Sequence, residues 1–175
     1  MLGDARTEKG GALVSALVPA HADWRWLIQG HAAAWRNLPT SPNVERVEAE
    51  LSPDGYHALF ARAGVVLLAY DPARLALRTS GVAAEAIAAG RPLVATHHTW
   101  AAEQILAGRA SGVVFPLHTV ASCAEGLSVA LERFDTLAES AARLAPAWRA
   151  TQCAASFLDR IWAGATAPIA VPPPL

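Results

Sequence analysis

An α/β fold is predicted for this chain, a doubly wound parallel sheet with helices on both faces, and three features of the sequence predict it. Short apolar runs of strand length alternate with longer runs of helical period. One run, "VVLLAY" (65–70), is apolar throughout, as a strand covered on both faces must be. In "RTSGVAAEAIAAGRPLVAT" (78–96) a hydroxyl and a glycine open an alanine-rich helix, which Gly90 ends just before another short strand.

The elements follow in order. A very short strand at Met1-Leu2 leads through the loop "GDARTEKG" into a helix, "GALVSALVPAHA", and then the strand "WRWLIQG". Residues 37–43 read as loop, and "VERVEAEL" fits either a strand or a helix. Ser52 and Pro53 cap and start a helix over "DGYHALFARAG". After "VVLLAY" come the alanine-rich helix, the strand "PLVAT", the helix "WAAEQILAG" and the strand "GVVF". Helices fill the chain from Val120 to Trp162, with Pro146 expected to interrupt them. One domain over 1–163 is followed by an extended Pro/Ala-rich tail, 164–175. Strands alternating with helices imply right-handed crossovers and a Rossmann-like sheet. Such sheets take ligands beyond the carboxyl ends of their strands.

Composition limits the function. The 175 residues are 53% hydrophobic and 17% charged, enough for a sizeable core. A net charge of -1 offers no broad basic field, so nucleic acid is not an expected partner and any bound anion is held locally. Cys123 and Cys153 are too few for a disulfide framework and are expected to stay reduced, which makes a cytoplasmic location the default. No apolar run approaches the ~20 residues of a membrane span, and the polar start "MLGDARTEKG" lacks a signal-peptide core.

Three clusters carry the chemistry. Ser80 as a cap and Gly81 beside it leave helix amides open to a phosphate, while Glu85, about one turn in, can accept hydrogen bonds from ribose hydroxyls. A cap and a surface glutamate would be the ordinary reading of the same residues. In "GDARTEKGG", Arg6 and Lys9 place two cations at a strand-to-helix junction, as a diphosphate site requires, though the loop has neither a Walker nor a dinucleotide spacing. In "THHTW", His97 and His98 are neighbours on one backbone with no third ligand at metal spacing, so no metal is expected. One of those rings, or the Trp100 indole, is the candidate to pack against a ligand.

In this order the clusters resemble the C-terminal, nucleotide-sugar-binding half of a GT-B glycosyltransferase of the family 4, group 1 type. The specific part is Glu85-Ala86-Ile87-Ala88-Ala89-Gly90-Arg91-Pro92, which matches that family's Glu-Ala-apolar-Ala-x-Gly-x-Pro segment. The glycine-led loop ending in Lys-Gly, the strand ending at Tyr70, and Glu103 and Gly112 ahead of "VVFP" support it by order, over Gly3 to about Leu131. The resemblance implies that Lys9 and Arg6 contact a donor diphosphate, that Ser80 and Gly81 offer amides to a phosphate or the sugar, and that Glu85 holds the ribose. It implies no metal and no cofactor. Arg78, His97, His98, Trp100 and Glu103 are candidate donor-sugar or pocket residues.

The chain also departs from that pattern. The first of the family's two acids, separated from the second by seven residues, would fall at Leu77, and Arg78 and Asp71 are the candidates to take its role. Asp4 stands where an arginine is common, and His97-His98 where the turn is commonly Gly-Gly. The N-terminal acceptor half is expected to be missing, with the first strand clipped, so that the chain is a truncated or excised half. Holding donor and acceptor together contributes about 7–11 kcal/mol in favourable cases, which half a cleft cannot supply. The expected function is therefore binding of a nucleoside-diphosphate sugar within a two-domain enzyme, with little turnover by this chain alone. A separate N-terminal chain, self-association through the uncovered face and peripheral membrane contact through the full enzyme all fit that expectation. The alternative is a non-catalytic Rossmann-like binding or assembly module derived from such a domain. A different nucleotide-binding Rossmann-like enzyme is a third reading that lacks any fingerprint.

Overall fold

The structure is a computed structural model, and it describes residues 7–31, 38, 40–48, 50–76 and 78–166. The expected first strand at Met1-Leu2, and with it Arg6 and Leu77, lies outside the described residues.

A 3-10 turn, Thr7–Lys9, opens directly into α1 (Gly11–Ala20). The junction is Gly10, at φ 86°, a left-handed conformation that glycine adopts without strain. Strands β1 (Trp26–Gly30) and β2 (Val44–Glu48) follow, so the first five residues of "VERVEAEL" form a strand. Next come α2 (Pro53–Arg62), β3 (Val66–Leu68), a single turn α3 (Pro72–Leu75) and α4 (Gly81–Ala88). Strand β4 (Leu93–Thr96), α5 (Trp100–Leu106) and β5 (Gly112–Phe115) complete the alternating part. The C-terminal helices are α6 (Val120–Glu132), α7 (Phe134–Thr151) and α8 (Ala154–Thr166).

Two of the expectations need correction. Pro146 does not interrupt its helix, which runs through it from Phe134 to Thr151. Pro146 and Ala142, whose carbonyl loses its partner one turn back, are both exposed, so water can serve that carbonyl. The opposite face buries Leu137, Ala141, Ala145 and Trp148 and holds the helix against the core. The stretch expected to be extended from Gly164 is instead helical through Thr166, and its remainder lies outside the described residues.

Among the described residues the strands form two parallel sheets, β1-β2 and β3-β4-β5 in that order. The strands alternate between the same two apolar layers. Trp26, Ile28, Leu67, Val94 and Phe115 join α1 and α6 in one cluster, around Leu13, Val14, Leu17, Val18, Cys123 and Leu127. Leu27, Val66, Leu68, Leu93 and Ala95 join α2, α4 and α5 in the other, around Leu59, Phe60, Ala83, Ala86 and Ala101. Helices cover both faces, so the fold is the predicted doubly wound α/β architecture. Burial pushes the Cys123 thiol up to about 12, and both cysteines are free.

The sheet fixes where a ligand can sit. Helices α2, α3, α5 and α6 follow strands, α4 follows the single turn α3, and each begins with a side-chain cap: Ser52 on Gly55 N (3.2 Å), Asp71 on Ala73 N (3.0 Å), Ser80 on Ala83 N (3.2 Å), Thr99 on Ala102 N (3.4 Å) and Thr119 on Ser122 N (3.3 Å). The carboxyl edge of the sheet is therefore a rim of helix amino ends. Gly90, at φ 67°, turns α4 back into β4 against Ala142 and Ala145 of α7. Arg149 Nη1 donates to Ala88 O (2.5 Å) and fastens the same end.

Candidate functional site

At that rim, Lys9, Tyr70, Leu75, Arg78, Thr79, Ser80, Gly81 and Val82 line a cavity of about 180 Å³. Lys9 arrives because the 3-10 turn is tied to the end of β3. Asp71 N donates to Glu8 O at 2.9 Å. A Cβ on Gly10 would lie 2.2 Å from Ala69 O, which shows how closely the two segments approach. His118 Nε2 donates to the same Ala69 carbonyl at 3.0 Å and draws the loop after β5 toward the rim.

The other wall is the first turn of α4. Buried Ser80 shares a 3.1 Å hydrogen bond with the buried Tyr70 hydroxyl while its oxygen accepts from Ala83 N. A cap of this kind contributes ~1 kcal/mol. The Gly81 and Val82 amides remain at the helix end as donors. A Cβ on Gly81 would meet nothing within 4 Å, so the backbone there faces open space. A lysine, two amides and a positive helix end around one small cavity suit an anion of phosphate chemistry.

Glu85 is exposed and does not line this cavity. It lies four residues beyond Gly81, on the same side of α4 and one turn deeper. Its negative charge acts on the Tyr56 phenol of α2. Burial, that negative charge and the Tyr70 phenol together hold Tyr56 well above the usual tyrosine range.

The remaining predicted site residues divide. Arg78 is exposed and lines the cavity. His97 and His98 form the turn after β4, their rings 4.0 Å apart, with His97 half-buried and His98 exposed. His98 adopts φ 59°, the left-handed region that favours glycine. Trp100 packs edge-on against Trp148 of α7, centroids 6.2 Å apart, and belongs to the helix layer. Glu103 is exposed on α5. None of these four lines the cavity. Tyr56 and His118 belong to the site region without having been singled out in the sequence. His118 could have been found as the polar residue just past a strand's carboxyl end.

A larger cavity, about 890 Å³, opens at the opposite edge, where β1, β2 and β3 begin. Trp24, Trp26, Leu27, Val66, Leu127 and Leu131 contribute to its lining. Size does not make it the better candidate, because the amino ends of parallel strands carry no helix amino ends to bind an anion. Among the described residues, no group of three His, Cys, Asp or Glu side chains could hold a metal ion, and no helix is long and apolar enough to cross a membrane.

Solved structures share this architecture. Sucrose-phosphate synthase from Thermosynechococcus elongatus superposes with a TM-score of 0.66 at 19% identity, covering 94% of this chain and 45% of that one. Anabaena HepE in complex with UDP gives 0.71 at 15% identity, over 94% of this chain and 47% of that one. HepE in complex with UDP-glucose gives 0.67 at 14% identity, over 92% and 46%. The fold of this chain is that of one GT-B half. The chain spans a little under half the length of the structures it matches. No protein-family model matches the chain, and no curated protein matches it in sequence.

Proposed function

We propose that this GT-B half binds a nucleoside-diphosphate sugar as the donor-binding half of a glycosyltransferase that moves the sugar to an acceptor held elsewhere. The observation that carries the reading is the meeting of Lys9 with the Ser80–Gly81 helix end at one cavity on the carboxyl edge of the sheet. In this reading the Lys9 ammonium and the Gly81 and Val82 amides hold the diphosphate, Arg78 lies at the sugar side, and Glu85 takes the ribose hydroxyls one turn away. That UDP and UDP-glucose occupy HepE supports the ligand class.

The chemistry asked of this half is stabilisation of the departing nucleoside diphosphate. A fixed ammonium and preorganised amides meet the charge that develops on the leaving oxygen without reorganising at the moment of reaction. The acceptor and any general base belong to the other half of the cleft, so the chain alone binds rather than turns over. A nucleotide laid along the rim from the cavity toward Glu85 fits this role, since about 180 Å³ holds a diphosphate rather than a whole sugar nucleotide.

Leu77 favours a second reading, a binding or assembly module without catalysis, because a leucine cannot accept the sugar hydroxyls that an acid would. Calorimetric titration with nucleoside diphosphates separates the two: the donor-binding half shows saturable, diphosphate-dependent binding and the module shows none. Within that titration, Glu85→Ala is expected to weaken UDP by about 1–3 kcal/mol, the scale for losing a charged hydrogen-bond partner. An unchanged affinity would make Glu85 a purely structural residue.

A further inference from the structure

The bond between Tyr70 and Ser80 does more than a helix cap requires. A capping serine needs one lone pair for a backbone amide, and Ser80 Oγ accepts from Ala83 N at 3.2 Å. Its second contact is the Tyr70 hydroxyl, 3.1 Å away, and both residues line the cavity where Lys9 meets the start of α4. Tyr70 reaches Ser80 from the lysine side of that cavity. Its neighbours in the chain hold the turn that carries Lys9: Ala69 O lies against Gly10 and accepts from His118 Nε2, and Asp71 N donates to Glu8 O. The ring is buried in the apolar layer with Leu68, Leu75 and Ala83. A fixed phenol thus spans from one wall of the cavity to the hydroxyl on the other.

A serine hydroxyl has two lone pairs and one proton. Phenols ionise at about pH 10 and are stronger acids than alcohols, so in a tyrosine–serine pair the phenol is the better donor. With Ala83 N on one lone pair and the phenol on the other, the Ser80 oxygen is filled as an acceptor, and its own proton is left to donate. Accepting from a phenol also polarises that proton and strengthens the bond it gives. We propose that Ser80 binds the diphosphate through its hydroxyl as well as through the helix end it caps, and that Tyr70 is the positioning residue that turns this hydroxyl into a donor. A donor with no acceptor capacity left favours a phosphate oxygen over a sugar hydroxyl, which would have to be accepted as well as met. This rests on the donor-binding reading and adds to it one phosphate contact and the residue that orients it.

The test uses the full chain and calorimetric titration with UDP, uridine and inorganic diphosphate. Glycine replaces serine at a helix cap with little loss, so Ser80→Gly removes the hydroxyl and keeps the helix start. Tyr70→Phe keeps the ring and removes only the phenol oxygen. Ser80→Gly is expected to lower the affinity for UDP and for inorganic diphosphate about 10-fold, and Tyr70→Phe about 3- to 10-fold, with uridine unchanged in both. In the Ser80→Gly background Tyr70→Phe adds no further loss, because it acts only through that hydroxyl. A structural tyrosine would weaken both backgrounds alike. Equal losses with and without Ser80 therefore overturn the positioning role, as does a Tyr70→Phe protein that binds diphosphate like the native one. If Lys9→Ala weakens diphosphate and Ser80→Gly does not, the proposal falls and the donor site stands. If the native protein shows no saturable UDP binding, both fall.

Discussion

Lys9→Ala is expected to lower the affinity for UDP by about 10- to 100-fold, the range that follows from losing a charge-assisted hydrogen bond to a phosphate. Lys9 ends a short turn pinned to β3 by the Asp71–Glu8 backbone bond and lines the same cavity as the open end of α4. Its ammonium is brought to the diphosphate position by the backbone, so a mutation of the side chain removes charge without moving the frame. Uridine, which carries no phosphate, should bind the variant and the native protein alike. Calorimetry with UDP and uridine decides the matter; equal losses for the two would remove Lys9 from the phosphate site.

Gly10→Ala is expected to be the most damaging single substitution near the site. The added Cβ would lie 2.2 Å from Ala69 O and 2.6 Å from Ala69 Cβ, at a residue whose φ is 86°. Strain and crowding together cost about 2–4 kcal/mol, which for a chain of this size lowers Tm by about 5–15 °C. Nucleotide affinity should fall as well, because relieving the clash moves Lys9, its neighbour in sequence. Gly81→Ala is the control: its Cβ meets nothing within 4 Å, so the melting temperature should stay close to native. Scanning calorimetry of the two variants makes the comparison. A Gly10→Ala protein that melts with the native one would mean that the contact between the 3-10 turn and β3 is loose.

Most of the architecture could be read from the sequence because it is set locally. "VVLLAY" and "PLVAT" are buried on both faces, so their composition alone marks them. Ser52, Ser80 and the glycine at 90 mark helix ends through effects confined to one turn. "VERVEAEL" was ambiguous because its strand is mostly half-exposed and its register is set by pairing with β1, which local sequence does not carry. Pro146 misleads for a related reason: its cost depends on whether the carbonyl one turn back faces solvent, and that is a matter of tertiary packing.

The site was legible to the extent that it is made of backbone. Lys9, Arg78, Ser80 and Gly81 lie on one cavity, and each could be named from its place after a strand or at a helix start. Trp100 shows the limit. A tryptophan at a helix start fits a ligand platform and an interhelical contact equally well until Trp148, 48 residues away in sequence, is known to face it.

The row of capped helix starts has an evolutionary consequence. Attraction for an anion that arises from peptide groups belongs to no particular side chain, so it is inherited with the path of the chain. Side chains along such a rim can change while the positive helix ends stay where they are. Selection on such a scaffold acts on shape more than on spelling. A likeness in three dimensions at 14–19% identity is an outcome that a scaffold of this kind allows.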